Sequence, residues 1–171
     1  HGALVAQHLL DGGADNDILD GGEGHDTLKG GAGNDTYIFD TAFGFDTLID
    51  SDGDGKIIIN GITLNQFYKT DADGIVFRDS AENAKFEAVL VRDKNAQGVE
   101  TQSLLIYEIA NRENHLLIKD WQSGQMNLVM NDAPAVVRDA ALIGNFTGDT
   151  NANFFTTQLH LLQQPEKNRD D

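Results

Sequence analysis

The chain contains no cysteine, so no disulfide can hold it together and its stability has to come from elsewhere. Positive charge is scarce too: 12 Lys and Arg stand against 28 Asp and Glu, a formal net charge of −16. Nucleic acid needs bases opposite its phosphates, and anionic lipid needs them opposite its headgroups, so this balance argues against direct electrostatic binding to either. No apolar run reaches the roughly 20 residues that a membrane helix requires. The opening HGALVAQHLL lacks the basic start of a secretory signal peptide, which fits export by a route that reads the other end of a chain, or a fragment. Common catalytic signatures are missing as well. There is no cysteine nucleophile, no G-x-S-x-G elbow, and no glycine loop followed by a helix and a Lys. The five histidines (His1, His8, His25, His115 and His160) fall in no metal or triad spacing, and His25 and His115 read as solvated side chains.

What is abundant is glycine and aspartate, and both are concentrated. Residues 1–55 hold twelve of the 18 glycines and twelve of the 28 carboxylates against a single base, Lys29. Such a segment repels itself and is expected to be disordered without a cation. Its order is periodic. From residue 12 the chain reads GGADNDILD, GGEGHDTLK, GGAGND, a nine-residue unit with Asp17, Asp26 and Asp35 at its sixth position and Leu19, Leu28 and Tyr37 at its eighth. The glycines let the backbone turn tightly with carbonyls facing inward. The last three residues of each unit form a short strand whose central side chain enters a core. Two units make one coil, so loops on the same side recur every eighteen residues. The frame then decays: TAFGFDTLI (41–49) keeps Gly44, Asp46 and Leu48 after a two-residue insertion, and DSDGDGKII (50–58) keeps Gly53 and Ile57. Upstream, ALVAQHLLD retains only Leu10. The periodic carboxylates suit stacked ions better than acid–base catalysis. Calcium takes about six to eight oxygen ligands, carboxylate and carbonyl mixed, which one loop cannot supply and two stacked loops can.

The unit resembles the calcium-binding nonapeptide of RTX proteins. GGAGNDTYIFDTAFGFDTLIDSDGDG (30–55) followed by a strand, and then HLLIKDW before a final strand, resembles the haemolysin-type calcium-binding region with its associated C-terminal domain. The resemblance implies a type I-secreted bacterial toxin, adhesin or exoenzyme, exported through a channel that reads a C-terminal signal and folded by extracellular calcium. The charged end PEKNRDD departs from the usual signal. The resemblance also implies ligands. An earlier loop offers carbonyls from its second and fourth positions and its Asp; a later loop offers carbonyls from its first and third positions and its Asp. On this chain a first ion would see Gly13, Asp15, Asp17, Gly30, Ala32 and Asp35. A second would see Gly22, Gly24, Asp26 and Asp46, and a third Gly31, Gly33, Asp35, Asp50 and Asp52. Two to four ions are expected. Asp50-Ser-Asp52-Gly-Asp54-Gly55 also fits the start of a helix-flanked calcium loop, but Gly61 stands where that loop needs Glu, and an Asp/Gly turn is the simpler reading.

Beyond Ile59 the composition shifts to strand candidates at 56–59, 74–78, 84–92, 102–109, 115–121 and 126–130, separated by turn-rich stretches. Residues 60–68 suit a turn or short helix, and Trp121 with residues 115–121 reads as core. The expected fold is all-β: a parallel β-roll over 1–58 (good repeats 12–38, degenerate 41–58), continued by an antiparallel sheet or sandwich cap over 59–134. An ambiguous segment, 135–171, follows and ends in a disordered tail. The expected function is a non-catalytic calcium-binding module that folds the C-terminal region of a larger secreted polypeptide. The alternatives are a β-rich module recognising a glycan, peptide or cell surface, and an accessory piece of a secreted lipase, protease or polysaccharide-modifying enzyme. A cluster of exposed aromatics over 60–131 would favour the binding module.

Overall fold

The nine-residue period becomes two parallel sheets wound from one chain. The computed structural model describes residues 6–70 and 74–132; the segment 135–171, with its expected tail, lies outside them. Strands β1 (Leu9–Ala14), β3 (Thr27–Ala32) and β5 (Phe45–Ile49) lie side by side in one sheet. Strands β2 (Ile18–Asp20), β4 (Asp35–Phe39) and β6 (Gly55–Ile59) form the other. All four pairings are parallel. Leu9 faces Thr27 and Ile18 faces Thr36, an offset of eighteen residues. Thr27 then faces Thr47 and Asp35 faces Gly55, an offset of twenty. The insertion before the fourth unit is therefore taken up in a turn, and the same positions still point inward. Leu19, Leu28, Tyr37, Leu48 and Ile57, at the eighth position, are all at most 3% exposed. Each such burial contributes about 1.5–3 kcal/mol relative to exposure, well short of the backbone entropy lost in ordering nine residues, so a coil held by one inward residue per unit needs a further source of stability.

The roll and the β-rich remainder share a sheet. After a hairpin to β7 (Ile62–Thr63), the chain forms β8 (Gln66–Lys69), β9 (Val76–Arg78), β10 (Phe86–Lys94), β11 (Glu100–Glu108), β12 (His115–Ile118) and β13 (Val129–Asn131). The first sheet then runs β1-β3-β5-β12-β11-β10-β9-β8-β13, nine strands in all. The described residues belong to one compact unit, His1–Val136, and no α-helix occurs among them. One local alternative is resolved and one expectation corrected. Of the turn or short helix expected at 60–68, the turn is formed: Asn60 and Gly61 make it at positive φ (50° and 75°), and Ile62 is free to pair back on Ile59. Residues 126–130 are not one strand. Gln125–Asn127 is a single 3-10 turn, with Met126 and Asn127 at positive φ, and β13 starts only at Val129. Trp121 lies in the core as expected, 2% exposed, although β12 has already ended at Ile118.

The end of the roll is closed by a coil borrowed from far along the chain. β12 lies parallel to β5, with Leu116 opposite Asp46 and Ile118 opposite Leu48. The His115 N–H donates to the Gly44 carbonyl at 2.8 Å, as the Phe45 N–H donates to the Gly24 carbonyl at 3.2 Å one coil earlier. After β12 the chain crosses over. The Met126 N–H donates to the Gly53 carbonyl at 2.9 Å, and the Asn127 side-chain amide donates to the Gly55 carbonyl at 2.8 Å. Residues 114–127 thus cover a strand edge and a loop end that would otherwise be left unpaired.

Candidate metal centre

The loops stack in two columns. Loops 12–17, 30–35 and 50–55 lie on one side, and loops 21–26 and 41–46 on the other, preceded by residues 6–8 and followed by residues 111–115. The sequence explains the loop shape. Second and fourth positions take positive φ: 94° and 79° at Gly13 and Asp15, 104° and 128° at Gly31 and Gly33, and 61° and 81° at Ala42 and Gly44. Asp15 and Ala42 do this without being glycine, at a cost that Asp tolerates better than most residues. The stacking is tight. A Cβ at Gly31 would collide with the Gly13 carbonyl, one at Gly33 with the Asp15 carbonyl, and one at Gly44 with the Gly24 carbonyl. Facing the other way, the Gly30 carbonyl lies 2.9 Å from where a Gly12 Cβ would be. Carbonyls of adjacent loops therefore turn toward the space between them.

The repeated Asp residues point into the same spaces. The Asp17 N–H donates to Asp35 Oδ1 at 2.8 Å, and the Asp26 N–H donates to Asp46 Oδ1 at 2.8 Å. Asp26, Asp35 and Asp46 are at most 1% exposed. Their second oxygens have no partner. Among the described residues, four buried side-chain polar atoms make no hydrogen bond: Oδ2 of Asp17, Asp26, Asp35 and Asp46. A buried carboxylate oxygen without a donor is strongly unfavourable, and the usual remedies are a paired charge or a metal. Burial, helped by repulsion from Asp26 and Asp20 and opposed by the Asp26 N–H, pushes the Asp46 carboxyl up to about 7. No group of three or more His, Asp or Glu side chains forms a metal cluster among the described residues. Any cation here would therefore draw most of its ligands from main-chain carbonyls, as hard oxygen-seeking ions do. The residues present fit a calcium ion on that count.

The residues named from sequence divide into two groups. Gly13, Asp15, Asp17, Gly30, Ala32 and Asp35 come together across loops 12–17 and 30–35, where Ala32 is in register with Ala14. Gly24, Asp26 and Asp46 come together across loops 21–26 and 41–46, with Gly22 in the same turn. Loop 50–55 differs. Asp50 Oδ2 accepts the Tyr37 hydroxyl at 2.5 Å, while its Oδ1 accepts the N–H groups of Gly53 (2.7 Å) and Asp52 (3.2 Å). Asp52 accepts the Gly33 and Asp54 N–H groups at 2.9 and 3.0 Å, which hold its carboxyl low. The Ser51 hydroxyl donates to the Gly31 carbonyl. This is the Asp/Gly turn, with no flanking helices. Burial, reinforced by Asp50 and Asp35, raises the Tyr37 hydroxyl far above its ordinary value, so it remains a donor.

Two features were not singled out from sequence. His8 occupies the Asp position of the upstream unit. Its N–H and Nδ1 lie 2.6 and 2.9 Å from Asp26 Oδ1, so an imidazole stands where the column would next have a carboxylate. Counting nine residues back from Asp17 would have found it. Asn114, 4% exposed, accepts the Gly44 N–H at 3.3 Å, and only the long-range pairing of β12 reveals it. His25 is exposed and His115 half-buried, packed on either side of Phe45 at 6.1 and 4.3 Å. No described aromatic side chain of residues 60–131 is exposed, so the feature that would favour a binding module is not found there. No helix among the described residues is long and apolar enough to cross a membrane.

No curated protein and no solved structure shows significant similarity to this chain. Loops 12–17, 21–26 and 30–35, with Asp17, Asp26 and Asp35, fall within the match of a family model described as the RTX calcium-binding nonapeptide repeat (4 copies), which covers residues 9–37; loop 41–46 with Asp46 lies beyond it. That segment is an array of RTX calcium-binding repeats, whose family binds calcium.

Proposed function

We propose that this chain is a calcium-dependent folding and stabilising module of a larger secreted RTX polypeptide, without catalytic residues of its own. One ion would lie between loops 12–17 and 30–35, held by the Gly13, Asp15, Gly30 and Ala32 carbonyls with Asp17 and Asp35. A second would lie between loops 21–26 and 41–46, held by Gly22 and Gly24 carbonyls with Asp26 and Asp46. The observation that carries the reading is the set of orphaned oxygens: four buried Oδ2 atoms, belonging to these two pairs of aspartates. Without a cation, each pair leaves two carboxylate oxygens buried with no donor. With one, the same oxygens become ligands, and binding free energy becomes folding free energy. RTX repeats are typical of secreted or extracellular proteins, where calcium is abundant.

The test is a calorimetric calcium titration followed in parallel by circular dichroism. The roll should be unfolded in excess chelator and form with a midpoint of about 10⁻⁴–10⁻³ M, the range of extracellular modules. Magnesium should not substitute, since it prefers octahedral ligands at about 2.0–2.1 Å and gives up water reluctantly. Identical dichroism with and without chelator, or equal folding in millimolar magnesium, would reject the proposal.

A further inference from the structure

Of the inward residues at the eighth position, Tyr37 alone carries a polar end. Leu19, Leu28, Leu48 and Ile57 stop within the core, whereas the Tyr37 hydroxyl passes through it to the loop column and donates to Asp50 Oδ2 at 2.5 Å. Gly30 leaves the room for it, because a Cβ there would collide with the hydroxyl. The surrounding junction, between loops 30–35 and 50–55, is unlike the two described above. All four carboxylate oxygens of Asp50 and Asp52 accept protein donors, and the Gly31 carbonyl accepts Ser51. The sixth position of this unit is Gly55, in register with Asp35, so the later carboxylate of an ion site is missing. The Met126 sulfur lies 3.4 Å from where a Gly55 Cβ would be. A cation here would have to displace donors already placed.

We propose that the Tyr37 hydroxyl stands in for a calcium ion at this junction, so that the last step of the roll is closed by the protein's own donors. The hydroxyl hydrogen supplies the positive end that Asp50 needs, and Ser51 and the Gly33 N–H tie the two loops together around it. Tyr37 is then a positioning residue that sets the number of ions the roll takes. The inference rests on the calcium reading above and deepens it.

The experiment is calcium titration of the full chain and three variants, reading ion count by calorimetry and the folding midpoint by circular dichroism. Wild type should take two ions. Asp50→Asn keeps one oxygen for the Gly53 and Asp52 N–H groups and turns its amide N–H on the Tyr37 oxygen, which can accept as well as donate, and should leave both count and midpoint unchanged within about twofold. Tyr37→Phe strands the Asp50 charge and should raise the midpoint about three- to tenfold, a lost hydrogen bond to a charged group shared over two linked ions. Adding Asp50→Asn to Tyr37→Phe should bring the midpoint back to within about twofold of wild type, because the stranded charge has gone. Three ions in wild type, falling to two with Asp50→Asn, would overturn this inference and leave the calcium reading intact. So would a Tyr37→Phe shift that Asp50→Asn does not relieve, since the hydroxyl would then be filling core and nothing more. A wild-type chain that binds no calcium would sink both readings together.

Discussion

Gly22 and Gly44 offer a matched pair that separates backbone strain from loop stacking. Both lie in the same loop column at nearly the same left-handed angle, φ 78° and 81°. An alanine at either would suffer the same conformational cost, about 1–2 kcal/mol for an L-residue in that region. Their surroundings differ completely. Nothing lies within 4 Å of a Cβ at Gly22, whereas a Cβ at Gly44 would fall well inside 3.0 Å of the Gly24 carbonyl oxygen, closer than Cβ atoms come. That obstacle is main chain and cannot swing aside. To admit the methyl, the loops must part, which loosens the Phe45 N–H to Gly24 bond (3.2 Å) and the Asp26 N–H to Asp46 bond (2.8 Å) at once. Two weakened hydrogen bonds, one of them to a carboxylate, cost roughly 2–4 kcal/mol beyond the strain. We predict that Gly22→Ala lowers the melting temperature in saturating calcium by about 3–8 °C and Gly44→Ala by at least twice as much. Thermal unfolding followed by circular dichroism reads both. Equal losses would refute the stacking geometry, because strain alone would then account for everything.

Two further predictions concern the carboxylates. With chelator present, Asp46, raised from 3.8 to about 7 chiefly by burial, holds a proton in the folded state that the unfolded chain releases above pH 4. That stability is fully present below about pH 4 and is lost as pH rises to about 7, on the order of 4 kcal/mol as an upper bound. The ion-free chain should therefore gain structure on acidification from pH 7.5 to 5, and Asp46→Asn should flatten the trend; a chelated chain that loses structure on acidification would contradict this. Asp17→Asn and Asp35→Asn should each leave one bound ion, because both side chains serve the same loop pair; calorimetric counts of two and one, respectively, would instead mean that Asp35 also serves a third ion.

How much of this was legible in the sequence follows from how local each feature is. The β-roll was, because its information repeats every nine residues: glycines at turning positions, Asp at the sixth, an apolar residue at the eighth. Even the insertion before residue 41 left the frame readable through Gly44, Asp46 and Leu48, and the observed offset of twenty residues agrees. Most strands of the β-rich part were legible too, since alternation and turn residues are local signals. What could not be read was which strand lies beside which. Nothing near HLLIKDW says that it pairs with a strand some seventy residues earlier. The turn at Gln125–Asn127 also escaped: MNLVM is apolar enough for a strand, but Met126 and Asn127 are held at positive φ against loop 50–55. The decayed unit 50–58 is different again. Its aspartates have the composition of a calcium loop, and only the three-dimensional arrangement shows that Tyr37 and main-chain N–H groups donate to their oxygens and that Ser51 donates to the Gly31 carbonyl.

The borrowed coil also explains why the two aspartate columns end where they do. A stack of identical loops has no intrinsic stopping point; each new coil presents the same carbonyls and carboxylate to the next. Here the residue in register with Asp46, at the end of one column, is Leu116. At the corresponding end of the other column stand Gly55 and the buried Met126, 1% exposed. None of these residues carries a carboxylate at the sixth position for a further ion. At the opposite end of one column, His8 supplies an imidazole in the Asp position. The backbone hydrogen bonds continue across these junctions, as the His115 and Met126 N–H bonds at 2.8 and 2.9 Å show. The coil geometry thereby extends one step further than the sixth-position carboxylates. The terminal coil therefore continues the main-chain ladder without a sixth-position carboxylate, and β12 carries that ladder directly into its antiparallel pairing with β11.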